Sequence, residues 1–262
     1  MSEILIPILI FAAMGLLAGI LLTAASIFFA VKTDPRKEAI TEALPGANCG
    51  GCGYAGCADY ADAIVQGKAA PNLCKPGGPD TAAAIGKVLG TAVEAAEPEV
   101  MVVHCNGHCG AAKPLFTYEG TPTCEAAKLY YGGSGICSHG CLGFGDCAAV
   151  CEEDAICIRD GIAHVLTDRC LACGKCAKVC PNHLLSLRPK ANPVHVACSS
   201  KDNGKNTKLA CSNGCIGCKL CEKKCPHGAI SVQDFHAVID YSKCTGCGAC
   251  TAACPVKAIH TA

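Results

Sequence analysis

Tryptophan is absent from this 262-residue chain, and six phenylalanines and six tyrosines are its only other large aromatic side chains of the hydrocarbon and phenol type. Large aromatic side chains dominate ordinary cores, so a large conventional core is not expected. Net charge is missing as well, with 22 basic residues against 22 acidic ones. That balance argues against a nucleic-acid partner, which would favour a basic face. A dinucleotide site is also lacking. Gly51, Gly53 and Gly56 satisfy G-x-G-x-x-G, but they follow Pro45 instead of a strand, and cysteines sit in and around the pattern. Cysteine itself is in excess, at 26 residues. In a short secreted chain such a content would indicate a disulfide scaffold; this chain is not short and shows no sign of secretion.

The cysteines fall into a repeated pattern. Cys244, Cys247, Cys250 and Cys254 followed by Pro255 form C-x2-C-x2-C-x3-C-P, and the same run occurs at Cys215, Cys218, Cys221, Cys225, Pro226 and at Cys170, Cys173, Cys176, Cys180, Pro181. This is the signature of a cubane iron–sulfur cluster. Three close cysteines on a tight loop reach three corners of one cluster, and the fourth turns toward a second cluster. Zinc ribbons also use C-x2-C pairs, but without the third close cysteine or the Cys-Pro ending. From Cys225 to Cys244, and from Cys151 to Cys170, 18 residues intervene, so two modules repeat at an offset of 74 residues. Crossing the motifs assigns Cys215, Cys218, Cys221 and Cys254 to one cluster and Cys225, Cys244, Cys247 and Cys250 to another. In the first module Cys151, Cys170, Cys173 and Cys176 form one set, and Cys137, Cys141, Cys147 and Cys180 the other. Glu152 stands there in place of proline.

Ile4 to Val31 contains no charged residue over 28 positions, longer than the roughly 20 needed to span a bilayer. A transmembrane anchor is expected; no basic residue precedes the run, and it is too long for a signal-peptide core. Lys32, Arg36 and Lys37 follow it while only Glu3 precedes, so the remainder should lie in the reducing cytoplasm. Asp34 and Pro35 should cap and start a helix that Pro45-Gly46 ends. Cys49, Cys52, Cys57 and Cys74 then read C-x2-C-x4-C-x16-C, a separate single-cluster domain. A helix is expected from Thr81 to Ala96 with Asp80 as its cap, and a strand over Val100 to Val103. Apolar pairs four residues after each terminal cysteine (Ala155-Ile156, Leu184-Leu185, Ala229-Ile230, Ala258-Ile259) should begin strands that shield the clusters. Cys157 falls on the outward side of such a strand and reads as a free thiol.

The fold class is therefore α+β: one N-terminal transmembrane helix, a small helical 4Fe-4S domain and two ferredoxin-like two-cluster modules. The expected divisions are 1–31 for the anchor, 32–99 for the single-cluster domain, 100–136 for a connecting segment, and 137–197 and 198–262 for the modules. Five 4Fe-4S clusters are expected. A sixth requires Cys105, Cys109 and Cys124 with Cys198 or Cys211, and if Cys137 belongs there the neighbouring set must shift. None of the nine histidines is needed as a ligand. From Ser199 to Lys224 the net charge is +4; Lys219, Lys223 and Lys224 in this run could steer an acidic electron carrier.

With D-P-x-x-x-x-I before L-P-G-A-N-C-G-G-C-G-Y-A-G-C and ferredoxin modules after it, the chain resembles the B subunit of Rnf complexes, the membrane-bound ion-translocating ferredoxin:NAD+ oxidoreductases. The resemblance covers nearly the whole length and implies an electron-relay subunit that accepts electrons from reduced ferredoxin. Partner subunits would carry the flavins and the NADH chemistry. This chain has two ferredoxin modules where short members have one. A membrane-tethered polyferredoxin feeding a hydrogenase or another reductase would share the cluster motifs, and a zinc-organised interaction protein is the non-redox alternative.

Overall fold

The computed structural model describes residues 2–28 and 34–261; Lys32 and the expected end of the anchor at Val31 lie outside them. The first helix, α1 (Ser2–Phe28), holds one uninterrupted apolar stretch, Ile8–Ser26, that no other described part of the chain covers. At 1.5 Å per residue it extends roughly 28 Å, long enough to cross a bilayer.

Helix α2 (Pro35–Ala43) begins as expected. The Asp34 carboxylate accepts from the Arg36 N–H at 2.9 Å and pairs with its guanidinium at 2.7 Å, while Pro35 occupies the first turn. Helices α3 (Cys57–Val65) and α4 (Gly78–Leu89) pack with α2 around Ile40, Leu44, Tyr60, Ile64 and Ile85. The helix expected from Thr81 to Ala96 is displaced. Pro79 lies in its first turn, so it starts at Gly78, and Gly90 adopts φ +68 and ends it after Leu89; a left-handed glycine is a common stop. Tyr60 joins the small core to the loop before Cys74: its hydroxyl donates to the Ala70 carbonyl at 2.7 Å and accepts from the Leu73 N–H at 2.9 Å.

Strand β1 (Glu99–Val103) follows, then the short helices α5 (Cys124–Lys128) and α6 (Asp146–Ala149), the hairpin β2 (Ile156–Arg159) and β3 (Ile162–Val165), α7 (Lys175–Val179) and β4 (Leu185–Pro189). Strand β5 (Val194–Val196), α8 (Gly204–Ala210), α9 (Leu220–Lys224), the hairpin β6 (Ile230–Gln233) and β7 (His236–Ile239), α10 (Ala249–Ala253) and β8 (Ile259–Thr261) complete the chain. β1 pairs antiparallel with β4, and β5 with β8, so a ribbon of first and last strands brackets each hairpin. The expected divisions at 136/137 and 197/198 therefore separate β1 and β5 from their partners. Hairpins leave a local turn signal, whereas these ribbons join residues 63 to 90 positions apart.

All four expected strand starts are observed, each at the second residue of its apolar pair. One turn generates them. Asp154, His183, Gly228 and Lys257, three residues after the terminal cysteines, have φ of +48, +50, +59 and +50. The next N–H then points back at sulfur: Ala155 to Cys151 Sγ at 3.3 Å, Leu184 to Cys180 at 3.4 Å, Ala229 to Cys225 at 3.3 Å and Ala258 to Cys254 at 3.3 Å. The same turn sends the following apolar pair inward, where all eight side chains are buried.

Tyr60→Phe removes the hydrogen bonds to the Ala70 carbonyl and from the Leu73 N–H, each worth about 0.5–1.5 kcal/mol, so a loss of about 1–3 kcal/mol is expected. A lower melting temperature of the loaded chain, with unchanged secondary structure by circular dichroism, checks it.

Candidate metal centres

Cys49, Cys52, Cys57 and Cys74 meet at the edge of the α2–α4 core, and the first three raise the Cys74 thiol pKa after burial itself, the largest cause. Asn48 shapes their loop, its side-chain oxygen accepting from the Cys57 N–H at 2.8 Å. We call this quartet site I. Site II, Cys151 with Cys170, Cys173 and Cys176, lines a cavity between α7 and β1. Met101 and Ala172 each donate an N–H to Cys170 Sγ at 3.4 Å. Burial pushes the Cys176 thiol up to about 12, and its three site-mates add to the shift.

The companion cavity in the first module departs from expectation. Cys141, Cys147 and Cys180 line it together with Cys124, which takes the place expected for Cys137. Asp146 causes the exchange: its carboxylate accepts from the Cys124 and Glu125 N–H groups at 2.9 and 3.1 Å, fastening the start of α5 to the start of α6. This is site III. Cys147, pushed up to about 12 chiefly by burial, also feels Cys141, Cys124, Cys180 and Cys176.

Cys137 instead faces a separate cavity of about 270 Å³ with Cys105, Cys198 and Cys211, site IV. Gly107 is wedged there; a Cβ on it would sit 3.5 Å from both Cys105 Sγ and Cys211 Sγ. Cys105 Sγ accepts from Gly107 and Cys141 N–H groups at 3.4 and 3.3 Å. Burial pushes Cys105 up to about 12 and Cys198 up to about 11. The extra-cluster residues expected together are thus divided: Cys124 lies in site III, Cys105 in site IV, and Cys109 on the exposed rim of the site IV cavity. Both Cys198 and Cys211 take part in the lining, where one was expected. Cys198 and Cys211 carry no local motif; their only sequence signal is that the crossed motifs leave them over.

In the second module Cys221 feels Cys215, Cys218 and Cys254, site V, and burial pushes it up to about 11. Cys225, Cys244, Cys247 and Cys250 line the site VI cavity. Burial of Cys225 is outweighed by N–H groups of Ala229, His227, Ile230 and Gly228, which hold its thiol below the usual range. Cys157 pairs with His164 across the β2–β3 hairpin and lines none of these cavities.

The quartets suit 4Fe-4S clusters chemically: each offers four thiols, buried or half-buried at most positions, and several of the sulfurs already accept N–H donors. Buried thiols with raised pKa values remain neutral until iron displaces their protons.

The sites touch in series. A Cβ on Gly51 would lie 3.0 Å from the Cys173 carbonyl oxygen, and Cys49 lines the site II cavity. Cys176 of site II and Cys147 of site III share one core cluster where α6 packs on α7. Cys141 of site III donates its N–H to Cys105 of site IV, and Cys215 of site V donates to Cys198 of site IV at 3.2 Å.

Comparison with known proteins agrees with this chemistry. An Fe-S cluster family model matches residues 44–76, a 4Fe-4S binding domain 163–186 and a 4Fe-4S dicluster domain 214–258. The B subunit of the Na(+)-translocating ferredoxin:NAD(+) oxidoreductase complex of Acetobacterium woodii is 42% identical over 93% of this chain and 74% of its own length. The proton-translocating counterpart of Clostridium ljungdahlii is 43% identical over 93% of this chain and 87% of its own. The B subunit of the ion-translocating oxidoreductase complex of Methanosarcina acetivorans is 44% identical, covering 93% of both. With its cysteine quartets, its apolar N-terminal helix and these near full-length relatives, the chain belongs to the B-subunit family of ion-translocating ferredoxin:NAD+ oxidoreductase, or Rnf, complexes.

Proposed function

We propose that this chain is the iron–sulfur electron-relay subunit of an Rnf-type complex, that sites I to V form a single file, and that site VI lies beside site V in the core of the second module. The contact series just described, from site I through IV to V, is the observation that carries this reading. Bound 4Fe-4S clusters would supply one-electron acceptance and release at each quartet, with no substrate pocket or acid–base pair required.

The residues that would hold them are Cys49, Cys52, Cys57 and Cys74; Cys151, Cys170, Cys173 and Cys176; Cys124, Cys141, Cys147 and Cys180; Cys105, Cys137, Cys198 and Cys211; Cys215, Cys218, Cys221 and Cys254; and Cys225, Cys244, Cys247 and Cys250. Backbone N–H groups aimed at sulfur favour the reduced, more negative state, and burial disfavours it. The recurring turn of the modules therefore sets a baseline potential at one sulfur of four sites, II, III, V and VI, and differences in burial separate them.

Reduced ferredoxin is the donor in this reading, arriving at the second module, where Cys218 and Cys247 are exposed. The acceptors are other subunits of the complex, reached through site I, whose domain follows the anchor directly in the chain. The anchor crosses the membrane once, and the basic residues Lys32, Arg36 and Lys37 keep the cluster domains on the cytoplasmic side. The apolar stretch Ile8–Ser26 has no ionisable residue, so the ion path belongs to partner subunits.

Anaerobic iron, sulfide and zinc content of the full chain in detergent tests the reading: about 24 irons and no zinc are expected for six 4Fe-4S sites. Cys211→Ser and Cys198→Ser should each reduce this toward about 20, by the four irons of one site, while Cys109→Ser and Cys157→Ser leave it intact. Iron near 20 in the unaltered chain would remove site IV from the file.

Gly51→Val should separate sites I and II by forcing its branched side chain against the Cys173 carbonyl. Unchanged iron content with at least roughly tenfold slower electron arrival at site I is expected, because small misplacements in a positioned site are costly. Freeze-quench paramagnetic resonance reads it.

A further inference from the structure

The 74-residue repeat brings out two exchanges at one place. Gly145, the cap of α6 at φ +88, corresponds to Lys219, the cap of α9 at φ +60. Gly161, second in the two-residue turn of the β2–β3 hairpin at φ +78, corresponds to Phe235 at φ +63. The left-handed backbone is retained, but side chains that disfavour it have replaced glycine, and a bulky residue there is a genuine outlier. Such strain concentrates at functional surfaces. Both residues adjoin the same loop. Lys219 follows Cys218 directly, and a Cβ on Gly217, just before Cys218, would lie 2.9 Å from the Phe235 carbonyl oxygen.

In the first module this face is partly covered from within the chain, although Gly161 itself stays exposed. Cys109 donates its N–H to the Asp160 carbonyl at 2.8 Å beside Gly161, and Tyr118 stacks edge-on against Phe144 with ring centroids 5.5 Å apart. In the second module the corresponding face is open. Phe235 is 54% exposed and Leu220 42% exposed, and Cys218, Lys219, Lys223 and Lys224 are exposed around them. Lys223 lies one turn from Lys219 on α9. None of the three lysines is in an ion pair among the described residues. Of the acidic groups here, Glu222 has its carboxylate turned to the Val232 N–H at 3.1 Å, and Asp234 stands exposed in the turn.

We infer that this face docks an acidic soluble iron–sulfur electron carrier, with Phe235 and Leu220 as the apolar centre, Lys219, Lys223 and Lys224 as the basic rim, and the Cys215–Cys221 loop as the point where electrons enter. The inference rests on the relay reading and adds to it the surface and the charge of the partner. Apolar centre with charged rim is the usual anatomy of a transient interface, and the rim charges set the rate of encounter.

The test uses the full iron-loaded chain in detergent and an acidic two-cluster ferredoxin as probe. Phe235→Gly and Lys219→Gly restore the residues that the first module carries, so a purely structural role predicts an equal or better protein with unchanged binding. Docking predicts an equal or higher melting temperature, unchanged iron content, unchanged reduction by dithionite, and affinity for the probe weakened about tenfold, as for an interface anchor. For Lys219→Gly the salt dependence of association should flatten too. Unchanged affinity, or a loss that follows a fall in melting temperature, overturns the docking face. If dithionite fails to reduce the unaltered chain, the relay reading falls, and the docking face with it.

Discussion

Sulfur has to be buried here and yet remain able to bind iron, and the turn after each terminal cysteine meets both demands. A left-handed residue three positions on lets the next N–H reach back to Sγ, four times over, at 3.3 to 3.4 Å. The same turn aims the following apolar pair at the cavities, so hydrogen bonding and shielding of the site share one backbone conformation. With no tryptophan and few other large aromatic side chains, little else fills the interior of the modules. Their cores are largely the cysteines themselves with Met101, Leu184, Val194, Ile156, Ile230 and Ile259, so iron binding and folding are expected to be coupled.

The raised pKa values of Cys105, Cys147, Cys176, Cys198 and Cys221 have this burial as their first cause. A buried thiolate alone is costly, and four together more so; the positive charge of iron offsets both. Cys225 is the opposite case, where N–H donors outweigh burial. Such a contrast between sulfur environments would give bound clusters unlike potentials.

The repeat made most of this architecture legible. Spacing alone located the four strand starts and the apolar N-terminal helix, and it groups the cysteines that line the site II and site VI cavities, because each depends on residues within one short motif or one repeat. Site IV was hidden because its four cysteines come from positions 105, 137, 198 and 211 and meet only when α8 bonds to the segment after Cys109, through Lys113 to Ala210 and Ser212 to Ala111. Cys137 was misplaced for a related reason. Its spacing to Cys141 imitates a motif, while Asp146, which draws Cys124 into the same cavity, carries no recognisable signal as a cap for another helix. The strand pairings of β1 with β4 and β5 with β8 were likewise beyond local reading. Family membership, by contrast, needed no geometry beyond the order of anchor, single-cluster domain and modules.

In the proposed file site IV is the link between the two modules: Cys105 Sγ accepts from the Cys141 N–H of site III, and Cys198 Sγ from the Cys215 N–H of site V. The most direct measurement is rapid mixing of reduced ferredoxin with the full chain carrying Cys211→Ser, with paramagnetic resonance resolving the two ends. The account predicts that centres in the second module are still reduced at the unaltered rate while those of the first module and the Cys49–Cys74 domain stay oxidised on the same timescale. Equal reduction of both ends would contradict it, because electrons would then reach the anchor side by a route that bypasses site IV.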